Sequence, residues 1–222
     1  MSPSPTNYPP SFLREAARLR AFTPPFAFSA FFSPEDTLLC ICATENALTR
    51  VKANHPRITE LTTGSGLVGL HALMQEQRAS LVGLDVDRSA IDVARSNASH
   101  LGVSARAMFM LADLWSESTL TILREYNPDL LICNPPYIPE PQHRKLEIEA
   151  GSGADGTAHL MRTLEIAAEL KPQSLALSWC SVSDPERVLQ GAARAGYALD
   201  SLYIVAIADG EYSRTVHDYL KA

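Results

Sequence analysis

The sequence predicts an α/β fold, Rossmann-like and doubly wound, around a mostly parallel sheet. Three observations carry that expectation. From about residue 57, short apolar runs alternate with amphipathic helical stretches; strands apolar on both faces belong to sheets covered on both sides, and intervening helices make consecutive strands parallel. A glycine-rich turn, Gly64-Ser65-Gly66-Leu67-Val68-Gly69, joins the first strand to the helix after it. Acidic residues then close later apolar runs at the edge where open parallel sheets bind ligands.

Each element has its own signal. Residues 1–10 are rich in proline and serine and are expected to be disordered, with a short helix in SFLREAARLR, so that 1–32 form an N-terminal extension to one domain over 33–222. Ser33-Pro34-Glu35-Asp36 opens a helix: a capping hydroxyl, proline at the first helical position, and acids at the positive end of the dipole. RITELTT (strand), GLVGLHALMQEQ (helix) and ASLVGLDVD (strand) follow. Next comes a helix with Ile91, Ala94, Ala98 and Leu101 on one face, ended by Gly102. AMFML and PDLLIC read as consecutive strands. A helix from about 155 to 171 places Leu160, Met161, Leu164, Ala167 and Ala168 together, SLALSWCSV is a strand, and the next helix opens at Asp184-Pro185 and closes at Gly196. LDSLYIVAIA and RTVHDYL lack an intervening helix, which predicts an antiparallel strand near the C-terminal end. Residues 138–156 are the one long loop.

The composition, 46% hydrophobic and 20% charged, is that of a globular protein. No apolar run approaches the roughly 20 residues of a membrane helix, and the start lacks a basic segment followed by an apolar one. The expectation is a cytoplasmic protein without a membrane partner. Cys40, Cys42, Cys133 and Cys180 sit in apolar runs without metal-ligand spacing and are expected to be buried free thiols; the six histidines form no metal pattern either. A net charge of −6 opposes unaided nucleic-acid binding. The densest basic spots, Arg14, Arg18 and Arg20 and then His143-Arg144-Lys145, are solvated surface or local contact patches.

The polar residues that end strands form one set. Glu60 and the turn through Gly64 and Gly66 offer a tight backbone approach and free amide groups, although a purely structural turn explains the glycines as well. Asp85, about 20 residues on, is placed to bind the two hydroxyls of a ribose, and Asp113 after MFMLA to accept from an adenine amine. Each alone could be a solvated strand end; together they point to a nucleoside-containing cofactor.

Asn134-Pro135-Pro136-Tyr137 decides which one. Proline keeps the preceding residue extended, so Asn134 and Pro135 are both restrained. Two fixed acceptors result, the Asn134 side-chain oxygen and the Pro135 carbonyl, with an aromatic face at Tyr137. They suit a planar NH2 group. Such a nitrogen is a poor nucleophile because its lone pair is delocalised, and hydrogen bonds from both its N–H groups push charge onto it as it attacks.

This motif after an apolar strand resembles that of class I S-adenosylmethionine-dependent methyltransferases acting on planar amino nitrogens. Ile138-Pro139, the segment IEAGSGADGTAHLMR with its G-x-D-G at Gly153 to Gly156, and FFSPEDTLL resemble the HemK/PrmC group in its short form, without the helical N-terminal substrate-binding domain. The similarity runs from about Phe31 to the C-terminus and is strongest at 130–165. That group methylates the glutamine of the Gly-Gly-Gln loop in peptide-chain release factors. The resemblance implies S-adenosyl-L-methionine as cofactor, lined by Glu60, Gly64 and Gly66, with Asp85 on its ribose and Asp113 at its adenine. It implies that Asn134, at the border of cofactor and substrate, holds the substrate amide with Pro135, stiffened by Pro136, while Tyr137 packs nearby. Thr62 departs from the pattern: it stands where the family has its first glycine, against the methionine portion of the cofactor.

Three readings stay open. The leading one is glutamine methylation of a release factor. The second is methylation of an exocyclic adenine or guanine amine in RNA or DNA, and the third a non-catalytic methyltransferase fold kept as a binding subunit, which Thr62 alone favours. An activator subunit could cover the aromatic surface of Phe26, Phe28, Phe31 and Phe32, residues that core or a pocket lid would equally use.

Overall fold

The computed structural model describes residues 34–140 and 151–204. The N-terminal extension over 1–32 with its helix, the four phenylalanines, His143-Arg144-Lys145 and the strand RTVHDYL lie outside the described residues.

The elements are α1 Pro34–Leu48, β1 Arg57–Leu61, α2 Leu67–Gln75, β2 Ser80–Asp85, α3 Arg88–His100, β3 Ala107–Leu111, α4 Glu117–Tyr126, β4 Leu130–Cys133, α5 Ala158–Leu170, β5 Ser174–Leu177 and α6 Pro185–Arg194, with a 3₁₀ turn at Ser104–Arg106. The five described strands pair in the order β3-β2-β1-β4-β5, all parallel. The order reverses between β1 and β4, whose last paired residues are Leu61 and Cys133. A crevice therefore opens beyond those two residues, where Thr62 and Asn134 begin.

Alternation along the strands feeds two cores. Ile58, Leu81, Leu130 and Ile132 pack with Leu38, Ile41, Leu70, Leu73 and Ile91 of α1, α2 and α3. Leu61, Val82, Leu84, Leu131 and Cys133 pack with Leu120, Leu123, Ile166 and Ala167 of α4 and α5. Side chains on successive strand residues point to opposite faces, so near-continuous apolar strands are what two helical layers require.

Two elements differ from expectation. Helix α4, between β3 and β4, was not expected: ESTLTILREY carries Thr119, Thr121 and Ile122, β-branched residues of low helix propensity. Burial of Thr119, Leu120 and Leu123 overrides that, helped by the Ser116 side chain accepting from the Ser118 amide and a left-handed Asn127 at the end. A parallel β3–β4 crossover needs such a helix in any case. Among the described residues the expected antiparallel strand is not found either. Its first part, Leu199 to Ile204, is not strand, and Asp200 instead accepts from Asn46 (2.9 Å) and Arg50 (3.1 Å). SLALSWCSV is strand only as far as Leu177. Cys40 and Cys133 are buried while Cys42 and Cys180 are only partly so. Among the described residues no helix is long and apolar enough to cross a membrane, and no cluster of side chains could hold a metal ion.

Candidate active site

The glycine turn is built from beneath by Glu60. This residue is only 3% exposed on β1 and points under the start of α2, where its carboxyl accepts from the Thr63 hydroxyl at 2.6 Å and from the Gly69 amide. It thereby joins strand, turn and helix, and Gly66, the residue before α2, supplies a left-handed φ of 76° and no side-chain cap. Asn97 of α3, 2% exposed, donates a hydrogen bond from its side-chain amide to the Ser65 carbonyl at 2.9 Å. Glu60 is therefore a buttress of the turn rather than an exposed wall of it.

Burial, with a smaller push from Asp85, raises the Glu60 carboxyl to about 8 despite its hydrogen bonds. The folded state thus holds a proton that the unfolded chain releases near its ordinary value of 4.5. Stability is fully present below that value and is lost as pH rises through about 8, by about 1 kcal/mol per pH unit inside the window. Urea denaturation from pH 5 to 9 should show this decline, and Glu60→Gln should flatten it.

Thr62 has φ 52°, so it holds the left-handed backbone that glycine adopts freely. Its hydroxyl donates to the Leu61 carbonyl at 2.6 Å and lies 3.6 Å from the Cys133 sulfur, across the strand reversal. For a β-branched residue this conformation costs about 1–3 kcal/mol. Thr62→Gly is expected to raise the unfolding free energy by about 1 kcal/mol, once the lost hydroxyl bond is subtracted; an unchanged or lower denaturation midpoint would contradict the strain.

In the same turn, Gly64 (φ 52°) has no atom within 4 Å of where a Cβ would stand, so the turn faces open space. Its amide donates to Asp85 Oδ2 at 2.8 Å, while Asp85 Oδ1 accepts from the Asp87 amide at 2.9 Å. Burial raises the Asp85 pKa. Each carboxylate oxygen retains acceptor capacity beyond these single bonds. Beside it Val86 and Leu111 are each 51% exposed, and Leu111 is the β3 partner of Asp85. Asp113 is exposed on the same rim, taking the Trp115 amide at 2.9 Å and the Thr119 hydroxyl on its carbonyl at 2.6 Å. Trp115 meets His159 edge to face, with ring centroids 4.8 Å apart. An acid flanked by exposed apolar side chains and an open glycine turn fits a nucleoside with a charged tail.

On the other wall, β4 delivers Asn134 to the crevice. Its side-chain oxygen is buried and has no hydrogen-bond partner among the described residues. Among the described residues no donor reaches the Pro135 carbonyl either. Cys133, just before them, takes the Thr163 hydroxyl at 3.3 Å and is pushed by burial to about 11, so it is a neutral neighbour and not a nucleophile. Tyr137 is 4% exposed, with its hydroxyl donating to Asp36 of α1. The G-x-D-G segment then zips along this loop. Ile138 bridges Gly151, the Glu140 amide donates to Gly153 at 2.8 Å, and Asp155 takes the Thr157 amide and hydroxyl and pairs with Arg187. Those hydrogen bonds and the guanidinium outweigh burial and hold the Asp155 carboxyl below its ordinary value.

The fold thus gathers Thr62, Gly64, Asp85, Asp113, Asn134 and Pro135 along one sheet edge, while Glu60 and Tyr137 lie beneath it as supports. Sequence reasoning passed over Asn97, Asp36 and Ser183, whose hydroxyl donates to the Tyr137 carbonyl. Asn97 had one signal, a polar residue inside an apolar helix face; Asp36 was read only as an acid at a helix start, and Ser183 had none.

The methyltransferase small domain family matches residues 42–151. A curated relative, the release factor glutamine methyltransferase of Chlorobaculum tepidum, is 40% identical over 98 residues, covering 44% of this chain and 33% of that protein. Among solved structures, a SAM-dependent methyltransferase from Agrobacterium tumefaciens superposes with a TM-score of 0.51 at 17% identity, covering 74% of this chain and 50% of the other. A putative RNA methyltransferase from Pyrococcus horikoshii gives 0.51 at 18%, covering 85% and 83%. These two likenesses speak for the fold alone. The chain spans about a third of the length of the curated relatives it matches.

Strand order, the crevice at the β1–β4 reversal and the family match define a class I methyltransferase domain, whose cofactor is S-adenosyl-L-methionine. Within that class it is similar to the release factor glutamine methyltransferases, the HemK/PrmC group.

Proposed function

We propose that this chain transfers a methyl group from S-adenosylmethionine to the side-chain amide of a glutamine, the one in the Gly-Gly-Gln loop of a peptide-chain release factor. One observation carries the chemistry: the Asn134 oxygen, buried and without a partner at the end of β4. A buried acceptor left unmade costs about 1–3 kcal/mol, so a site that keeps one is built for a donor. Asn134 Oδ1 and the Pro135 carbonyl accept from the two N–H groups of the substrate amide, and Pro135 and Pro136 hold both acceptors still. The glycine turn and Asp85 would hold the cofactor, Asp85 accepting from its ribose hydroxyls and Asp113 from its adenine amine, with Val86 and Leu111 offering apolar surface beside them.

Bound S-adenosylmethionine supplies a methyl group made electrophilic by its sulfonium. The amide nitrogen, polarised by its two acceptors, attacks in line. Transfer would form a nitrogen–carbon bond and break the sulfur–carbon bond, the electron pair returning to sulfur and the nitrogen giving one proton to solvent. The gain comes from orientation and from acceptors aimed where positive charge develops.

Glutamine is favoured over a nucleic-acid amine by the release factor methyltransferases among the relatives and by the net charge of −6. The test is incubation with methyl-labelled cofactor and either release factor or total RNA. Label in the release factor is expected; label in RNA alone would overturn the glutamine assignment while leaving the planar-amine chemistry in place.

A further inference from the structure

Tyr137 leaves almost no surface for a substrate. With Ile138 it packs against Trp179 and Cys180, and its hydroxyl is committed to Asp36. Asp36 is itself buried, at 8% exposure, in the first turn of α1. The backbone of the same tyrosine is held from the opposite side. Ser183, 1% exposed in the loop after β5, donates its hydroxyl to the Tyr137 carbonyl at 2.6 Å. Three segments distant in sequence, α1, the Asn134–Tyr137 loop and the β5–α6 loop, converge on one residue.

We infer that Asp36 and Ser183 are positioning residues that clamp Tyr137 at its hydroxyl and its carbonyl and so fix the Asn134 and Pro135 acceptors at the crevice. The inference rests on the methyl-transfer reading above and adds to it what holds the acceptors in register. Transmission follows from the prolines. Pro135 and Pro136 have fixed φ, so a shift at Tyr137 is passed back to Asn134 instead of being absorbed by the backbone between them. A misplacement of about 1 Å in a site that works by orientation costs on the order of 100-fold. Tyr137 is on this account a positioning residue whose hydroxyl matters more than its ring face.

The test uses the full chain with release factor as acceptor. Tyr137→Phe and Asp36→Ala should each lower kcat about tenfold while cofactor affinity by calorimetry stays within about twofold. The double variant should be no worse than the poorer single, because both remove one bond. Asp36→Asn, which keeps an acceptor oxygen, should retain most of the turnover, and Ser183→Ala should show the same kcat-only loss. Full turnover in Tyr137→Phe, or additive losses in the double variant, would overturn the clamp. Hydrogen exchange gives a readout independent of turnover: the Glu140 and Ser152 amides, bonded to Gly153 and Ile138, should exchange faster in Tyr137→Phe. Unchanged exchange would refute the clamp even if the wild type methylates nothing, whereas a wild type that methylates no release factor defeats the substrate assignment and leaves the exchange result standing.

Discussion

Asn134→Ala is expected to lower methyl transfer by roughly 100- to 1,000-fold while S-adenosylmethionine binds within about twofold of wild type. The asymmetry follows from where the residue stands. Its side-chain oxygen has no partner among the described residues, so removing it breaks no hydrogen bond seen there. Of the polar groups assigned to the cofactor's nucleoside, Asp85 ends β2, while Asp113 and the Gly64 turn follow β3 and β1, so none belongs to the β4 loop that carries Asn134. What is lost is an acceptor that strengthens as the substrate nitrogen becomes positive, an interaction made mainly in the transition state. A variant retaining half its turnover would show that the amide is held by other groups.

Gly156→Ala should be the most damaging single methyl group. Gly156 has φ 72°, and a Cβ there would come within 2.3 Å of the Tyr137 carbonyl and 3.0 Å of Pro139. Both neighbours are backbone or proline ring and cannot rotate away. The expected result is a loss of about 2–3 kcal/mol in stability together with at least tenfold slower transfer, because the loop carrying Asn134 must shift to admit the methyl. Gly102→Ala is the control. Its φ of 68° carries the same backbone cost, about 1–2 kcal/mol, but no atom lies within 4 Å of the new carbon. Denaturation midpoints and turnover for the two variants separate clash from strain. Equal effects on both would mean that Gly156 packing does not hold the loop.

Much of this architecture was readable from residues alone because the signals were local. The runs RITEL, SLVGLD and LLIC announce buried strands, Ser33-Pro34-Glu35-Asp36 announces a helix start that the structure has at Pro34, and Asn-Pro-Pro fixes backbone by covalent geometry. What escaped depends on tertiary burial. Helix α4 has weak intrinsic propensity and forms because Leu120 and Leu123 cover the sheet. Leu199 to Ile204 alternate like a strand, yet the described stretch is held along α1 through Asp200. At the site, the spacing of Glu60, Gly64, Asp85 and Asn134 was visible, but not that Glu60 turns inward or that Tyr137 is tied to Asp36, since both depend on side-chain direction. Thr62 looked like a defect in the glycine pattern. The folded backbone takes the glycine conformation there regardless, so the turn survives the substitution at a cost in strain.

The central claim is that the unpartnered Asn134 oxygen serves a glutamine amide. Mass spectrometry of a release factor incubated with the chain and S-adenosylmethionine tests it most directly, by locating the added methyl. A single methyl on the side-chain nitrogen of the Gly-Gly-Gln glutamine, absent when Asn134→Ala replaces the wild type, is the expected result. A methyl on any other residue, or the same modification at full extent with the Asn134 variant, would contradict it.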